Sequence, residues 1–590
     1  MAGGGPLTAV PPGVAVVVGA AVAAALSRRA AHALGVALTA GTLLWALVVP
    51  DGVFLSTNFL GFEAVLLRVD GFSRLMAIIF GLIGAAAVVY SYASDADGIQ
   101  TAFALSYVGT SVGAVLAGDW LALLFFWELM AATSTLLIWY YGGKAIRAGF
   151  RYALLHGIGG SLVMAGIVWH YDAVGSFLFS AADGITAGVP AVLVAVGIGV
   201  NVGFVGLHAW LPDTSPRPHV AASVFLCVYT TKTGVYGMYR AFPEGHLWIA
   251  YMGGAMAVFG AGMALLQDDM RRLLSYHIQS QVGYMVAGVG IGTALATSGA
   301  FAHVFNHILY KSLLFMTVGV VIYRTGKERL KKVGGLYREM PLTAVTFGIA
   351  ALSIAGFPGF NGFVSKGMVI GAAHKEHLDA LWWLLMLGGV GTFLSFIKLG
   401  YHAFLHGKYD GPVADANRGQ SVAMVAIAGL CVIYGVYPDA LFGLLPGTKS
   451  SKYVALPAAG AKYTVFTVDH LVEGIGLAVL GVAGFAVLKK PLSNVSVVPD
   501  VDALYNRVAF YGTRGVVVGV TELYAAVDRA VVAAARTVAG AVRDPASAVT
   551  AVARPTDGDR SGTPASLRAG IGTTILVLVV VVALVLAALM

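Results

Sequence analysis

The sequence predicts an all-α, polytopic membrane protein of about sixteen transmembrane helices, and three observations carry that prediction. Of its 590 residues, 58% are hydrophobic and only 11% are charged, where a soluble domain carries about 25% charged residues. Apolar runs long enough to cross a bilayer recur along the whole chain, bounded by Gly, Pro or charge. The basic residues concentrate in the short connections between those runs, the asymmetry that orients membrane helices.

The runs lie near 6–27, 32–50, 71–92, 100–118, 120–141, 152–170, 188–210, 219–241, 247–267, 275–292, 299–323, 342–376, 380–405, 421–445, 463–488 and 568–590. The first has no basic segment before it and is followed at once by another span, so it reads as an anchor rather than a cleaved signal. Residues 1–99 are plain N-terminal spans, whereas 100–405 hold nearly all the intramembrane polar residues and are read as the functional core. Further core helices fill 406–490. Within the core, "NVGFVGLHAWLPD" at 201–213 and "AGFPGFNGFVSKG" at 355–367 place Gly, Pro and Asn where a helix would otherwise continue. Broken helices recurring in two halves point to inverted-repeat transporters with ion sites at the breaks. The pair "KTGVY" (232–236) and "KLGYH" (398–402) is a further, short match between the halves.

After Lys490 the composition shifts, and 491–567 are read as a surface helix and linker. In 500–543, Arg507, Arg514, Arg529, Arg536 and Arg543 recur at sevens or nearly so, which holds them on one face of a helix up to about 60 Å long. It reads as an amphipathic helix along the cytoplasmic surface, with a soluble tail helix as the alternative. "RDPASAV" breaks it, 554–564 is a linker, and the final span, within 568–590, begins near Ile571.

The net charge of +8 is no sign of nucleic-acid binding, because the basic residues sit in short loops: Arg28 and Arg29, Lys144 to Arg151, Arg271 and Arg272, and "RTGKERLKK" at 324–332. The partner this composition implies is the lipid bilayer of the cell membrane. With about sixteen spans these loops share one side, cytoplasmic by the positive-inside rule, which leaves both termini outside. The two cysteines, Cys227 and Cys431, lie inside apolar runs and read as packing residues.

A few residues carry chemistry. Glu128 stands in "LLFFWELMAAT", where desolvation favours the neutral acid and a nearby lysine would favour the carboxylate. Lys232, in "CVYTTKTGVYG", is too deep to snorkel; it reads as a proton carrier, or alternatively as a lysine permanently paired with a carboxylate. Lys366 follows the break "FPGFNGFVSK", with an ordinary interfacial lysine as its plainer reading. His303, His307 and Lys311, in "HVFNHILYK", fall at i, i+4 and i+8 and form one stripe rising about 6 Å per step. Each such group facing lipid would cost about 2.5–3.5 kcal/mol, so the stripe must face protein or water. It lacks the Glu of HExxH and any nearby Cys, so a relay of imidazoles ending in a lysine fits better than a metal site. His156 and His219 are candidates to extend the path, or are hydrogen-bonded structure.

Taken together, "FFWELM", "GLHAWLPD", "TTKTGVYGMYR", "DDMRRLLSYHIQSQVGYM", "HVFNHILYKSLLF" and "LSIAGFPGFNGFVSKGMVI" resemble the proton-translocating antiporter family, which holds the subunits of Mrp-type Na+/H+ antiporters and the antiporter-like subunits of complex I and membrane-bound hydrogenases. The resemblance runs over residues 100–405 and implies fourteen core helices with two inverted five-helix repeats. It implies that Glu128 matches the fifth-helix glutamate, Lys232 the eighth-helix lysine, His303, His307 and Lys311 the linking histidines and central lysine, and Lys366 the ionisable residue of the broken twelfth helix. Two positions depart. Asn201 stands where the family usually has the lysine that pairs with the glutamate, and Gly206 stands where a helix-breaking proline is common.

The sequence shows no cofactor motif: no cysteine cluster, P-loop or dinucleotide fingerprint. It reads as a transporter subunit without a catalytic centre of its own. The resemblance implies an Mrp-type component closest to the D subunit, which exchanges Na+ for H+ within a hetero-oligomer. One charge moved through 100 mV supplies about 2.3 kcal/mol, which can drive such exchange without a redox partner. The alternatives are a proton-pumping subunit of a complex I-like or hydrogenase complex, favoured by the surface helix before the last span, and a non-conducting scaffold subunit, favoured by Asn201.

Overall fold

A computed structural model describes residues 8–59, 61–446, 463–493 and 499–543. The linker at 554–564 and the final apolar run at 568–590 lie outside the described residues. The chain divides into two units, residues 1–498 and 499–590.

The first unit opens with α1 (Pro12–Ala24) and α2 (Arg28–Val48), then a hairpin of β1 (Gly52–Phe59) and β2 (Phe62–Val69). There follow α3 (Gly71–Ala93), α4 (Gly98–Leu116), α5 (Trp120–Trp139), α6 (Lys144–Val174), α7 (Val189–Val202), α8 (Trp210–Thr214), α9 (Val220–Leu226), α10 (Tyr229–Ala241), α11 (Leu247–Leu265), α12 (Met270–Ile291) and α13 (Ala294–Thr325). It continues through α14 (Pro341–Ala355), α15 (Asn361–Lys375), α16 (Asp379–Gly400), α17 (Arg418–Val436), α18 (Asp439–Phe442) and α19 (Val468–Ser493). The fold is that of a multi-pass, essentially all-helical membrane protein. Among the described residues ten helices are long and apolar enough to cross a bilayer, and three shorter apolar helices, α1, α7 and α14, accompany them.

Among the described residues the antiparallel hairpin is the one sheet, in the stretch 51–70 between two apolar runs. Asp119 ties it down: its carboxylate accepts Ala122 N–H (2.7 Å), capping α5, and Val65 N–H (2.6 Å) on β2. A cap is worth about 1 kcal/mol. The register and its bulge near Leu55 depend on that tie and the turn at Gly61, neither of which a hydropathy pattern reports.

Polarity is arranged inside-out relative to a soluble protein. On α6, Ile146, Phe150, Leu154 and Ile158 are exposed at four-residue spacing, a lipid-facing stripe, while His156 and Tyr152 on the same helix are buried. At the centre, α13 is a 32-residue helix whose His303, Asn306, His307, Lys311 and Ser312 are all fully buried.

Contacts sort the connections into two ends. Arg28 pairs with Asp95, Tyr323 donates to Asp95, Tyr140 donates to Asp97, Tyr141 stacks on His219, and Arg271 joins Pro218 O (2.6 Å) and Glu328 (2.7 Å). The basic loops therefore share one end. At the opposite end sit the hairpin, the Arg240–Asp70 and Arg74–Asp51 ion pairs, and the Gly290–His246 connection.

The second unit is described by α20 (Asp502–Arg543), 42 residues without interruption. At 100° per residue, Arg507, Arg514, Arg529 and Arg536 fall within about 60° of arc, and Val516, Val520, Leu523, Val527, Val531 and Val538 lie opposite. The helix is amphipathic along its length.

Candidate ion-translocation site

The site is built on three helix breaks, each of which frees backbone carbonyls inside the protein. α7 ends at Gly203 (φ 76°) and the chain resumes helix at Trp210. Gln279 Nε2 donates to Gly203 O (3.0 Å) and Trp210 Nε1 to Val200 O (2.8 Å). Between α14 and α15, Gly356 and Gly359 take φ of 85° and 89°, conformations that a side chain would oppose. Here Ile354 O accepts from Lys366 Nζ at 2.7 Å. These are the two interruptions expected from the sequence.

The third was not expected. The run 219–241 is divided at Cys227–Val228 into α9 and α10, and Lys232 Nζ donates to Cys227 O (2.6 Å) and to Thr231 Oγ1 (3.0 Å). Lys232 and Lys366 thus do the same thing, each satisfying a carbonyl released at a break just before it. That pairs Lys232 with Lys366 in geometry, where the short sequence match paired it with Lys398. Lys398 instead caps the end of α11, donating to Leu265 O (2.7 Å) and Gln267 O (2.8 Å).

On α13 the predicted stripe is present and buried. His303 Nδ1 is 2.9 Å from Ser365 Oγ, the neighbour of Lys366, and His303 Nε2 is 3.3 Å from Tyr310 OH. The Lys366 amine lies over the Tyr284 ring at 4.8 Å, and Tyr284 is 5.7 Å from His303, ring centre to ring centre. Tyr310 OH donates to Gln281 Oε1 (3.5 Å), and Gln281 Nε2 donates to Thr392 Oγ1 (3.4 Å). His307 is 6.3 Å from His303 between ring centres, and neither of its nitrogens has a partner among the described residues. The Lys311 amine also has none and lies 5.9 Å over Phe315. Ser365, His303, Tyr310, Gln281 and Thr392 therefore form one connected polar string, with Lys366, His307 and Lys311 beside it. Tyr310, Gln281 and Thr392 were missed in the sequence, where uncharged polar residues in a span carry no signal.

The other half is looser. Glu128 on α5 is half-buried, its Oε1 is buried without a partner, and it makes no ion pair among the described residues. Its carboxyl fills the space over Gly160 of α6: a methyl there would stand 1.5 Å from Oε1. Asn201 is fully buried, both amide atoms lack a partner among the described residues, and its Cβ faces the bare Gly234 on the Lys232 helix at 3.2 Å from where a side chain would begin. Around Lys232 a second string runs from Ser134 to Tyr152 (2.9 Å), Thr230 (2.9 Å) and Tyr107 (2.6 Å). His156 adjoins it, stacked on Tyr152 at 3.9 Å, whereas His219 caps α9 at the basic end, outside it. Cys227 and Cys431 are buried and free.

Fold and site together define a class: polytopic helical membrane proteins with interrupted helices and protonatable side chains strung through the interior. Residues 117–395 match the family described as NADH:quinone oxidoreductase/Mrp antiporter, transmembrane. The chain belongs to that family. It is 30% identical over 403 residues to the D subunit of the Na+/H+ antiporter of Alkalihalophilus pseudofirmus, a match covering 64% of this chain and 81% of that one. The A/B subunit of a probable K+/H+ antiporter of Rhizobium meliloti is also 30% identical, over 410 residues; the match covers 64% of this chain but spans only 40% of that longer relative. Among solved structures, a chain of the membrane-bound sulfane sulfur reductase, an archaeal respiratory membrane complex, superposes with a TM-score of 0.71 at 26% identity, over 87% of this chain and 95% of that one.

Proposed function

We propose that this chain is the proton-conducting, D-type component of a multi-subunit cation/proton antiporter in the cell membrane, with its basic end in the cytoplasm and its N-terminus outside. The observation that carries the reading is the stripe on α13: three protonatable groups fully buried along one helix, the first of them bonded to Ser365, which precedes the buried Lys366 on a broken helix. Burying such groups is unfavourable in a membrane interior, and they persist where they serve ion movement. Lys232, His303, His307, Lys311 and Lys366 carry protons in turn, Glu128 stands beside that path as a neutral acid, and Asn201 leaves the first half without its fixed counter-charge. Na+ is the proposed exchanged ion, on the likeness to the Na+/H+ antiporter relative; the K+/H+ relative makes K+ the competing ion. The second reading, a proton-pumping subunit of a redox complex, is supported by the similarity to the sulfane sulfur reductase chain.

The test is reconstitution of the intact complex in proteoliposomes with no redox substrate. An imposed Na+ gradient should move protons, read by an internal pH dye, and a K+ gradient should move fewer. Proton movement that required electron transfer would replace the antiporter reading with the redox one.

A further inference from the structure

Among the polar groups that the strings above leave out, His277 is the most costly to explain as structure. It is fully buried on α12, and both Nδ1 and Nε2 lack a partner among the described residues. Buried polar atoms in folded proteins are ordinarily paired, so an imidazole unpaired at both nitrogens calls for a reason. Its ring packs on Phe396 of α16, with centres 4.8 Å apart. One helical turn away on α12 is Gln281, which joins Tyr310 on the α13 side to Thr392 on α16. Helix α12 packs against α13, which carries Lys311, and against α15, which carries Lys366.

The direction is set by the helices. His277 lies seven residues into α12, which starts at the basic end, so it is about 10 Å from that end along the axis. Lys311 lies fourteen residues from the close of α13 at the same end, about 21 Å. On α16 the buried polar residues Thr392, Ser395 and Lys398 descend the same way. Lys398 borders a cavity of about 60 Å³ that is also lined by His402, Asp268, Lys331 and Lys489 at the basic end, with room for water.

We propose that His277 is a proton relay that joins Lys311 to the basic end along the seam of α12 and α16. A ring nitrogen of neutral His277 takes a proton from the Lys311 ammonium, directly or through water, leaving a neutral amine. The imidazolium releases the proton on its other nitrogen toward Ser395 and the cavity beside Lys398, and the ring returns to neutral as the opposite tautomer. Both nitrogens must be uncommitted for this, which is how they are found.

The inference rests on the transport reading above, and the experiment separates the two. The intact complex is reconstituted in proteoliposomes, and Na+-driven proton flux is measured for wild type, Lys311→Ala, His277→Gln and His277→Ala, each checked for assembly. Imidazole is present in both compartments in a parallel series, with wild type in the same buffer as reference. Both His277 variants should assemble and lose at least about tenfold in flux, and imidazole should restore His277→Ala but not His277→Gln. A merely structural histidine would not be rescued in this way. If Lys311→Ala is inactive while either His277 variant transports like wild type, or if assembled His277→Ala is inactive and stays so with imidazole, the relay is wrong and the transport reading stands. If wild type moves no protons with the Na+ or K+ gradient, the transport reading itself falls.

Discussion

Replacing Gly160 by alanine tests whether the place of the Glu128 carboxyl matters to transport, and the structure allows the size of the effect to be worked out. The new methyl would stand 1.5 Å from Oε1 and 2.5 Å from Cδ, while real contacts of this kind stay above 3.0 Å, so the carboxyl must retreat by about 1.5 Å. Oε1 has no partner among the described residues, so the side chain moves and the helix does not. Forcing it off its rotamer costs about 0.5–1.5 kcal/mol, whereas alanine in place of glycine within a helix gains about 0.8–1.0 kcal/mol. The two offset to within about 1 kcal/mol, and assembly should be unchanged. Transport should not be. A 1 Å misplacement of a working group can cost about 100-fold, and a loss of about tenfold is expected here. The assay is Na+-driven proton flux in proteoliposomes for Gly160→Ala, Glu128→Ala and the double variant. If the carboxyl is the target, Gly160→Ala should add nothing in the Glu128→Ala background. An assembled Gly160→Ala complex with wild-type flux would refute the reasoning, and so would an equal loss in both backgrounds.

The two lysines of the second half should part company when each is replaced by methionine. Both variants should lose transport, but Lys366→Met strips the donor from Ile354 O and should cost about 1–3 kcal/mol, whereas Lys311→Met removes an unpaired buried amine and should leave stability level or higher. Thermal unfolding of the purified complexes measures the difference, and equal losses would contradict the assigned contacts. In the first half, Glu128→Gln should do little because glutamine copies a neutral acid, while Lys232→Ala should cost at least about tenfold in flux. Adding Asn201→Lys should make Glu128→Gln more harmful by stranding the new charge; flux in the four combinations decides it. Finally, removing 499–590 should lower the yield of assembled complex more than the transport per complex, because α20 offers an arginine face and an apolar face to neighbours or lipid. Normal assembly of the truncated chain would remove that role.

The stripe of His303, His307 and Lys311 was legible because four-residue spacing fixes one helical face, and a face bearing three such groups can only turn inward in a membrane. Lys366 and two of the breaks were legible because Gly and Pro declare where a helix cannot continue. Membrane class, helix content and the basic loops follow from composition, a property that burial in lipid imposes on every span. Other features depended on neighbours in space. The break at Cys227–Val228 contains neither Gly nor Pro, and no residue in the run marks it; the lysine amine five residues on bonds the carbonyl it frees. The likeness of Lys232 to Lys366 is a likeness of hydrogen bonds, invisible to letter matching, which chose Lys398. The room that Gly160 leaves for Glu128, the string through Tyr310, Gln281 and Thr392, and the hairpin held by Asp119 each join residues from different elements. Sequence determined which groups are buried, through the local periodicity that any helix obeys; tertiary structure decided which of them touch, because contacts between helices depend on side-chain shape at crossings that no single span encodes.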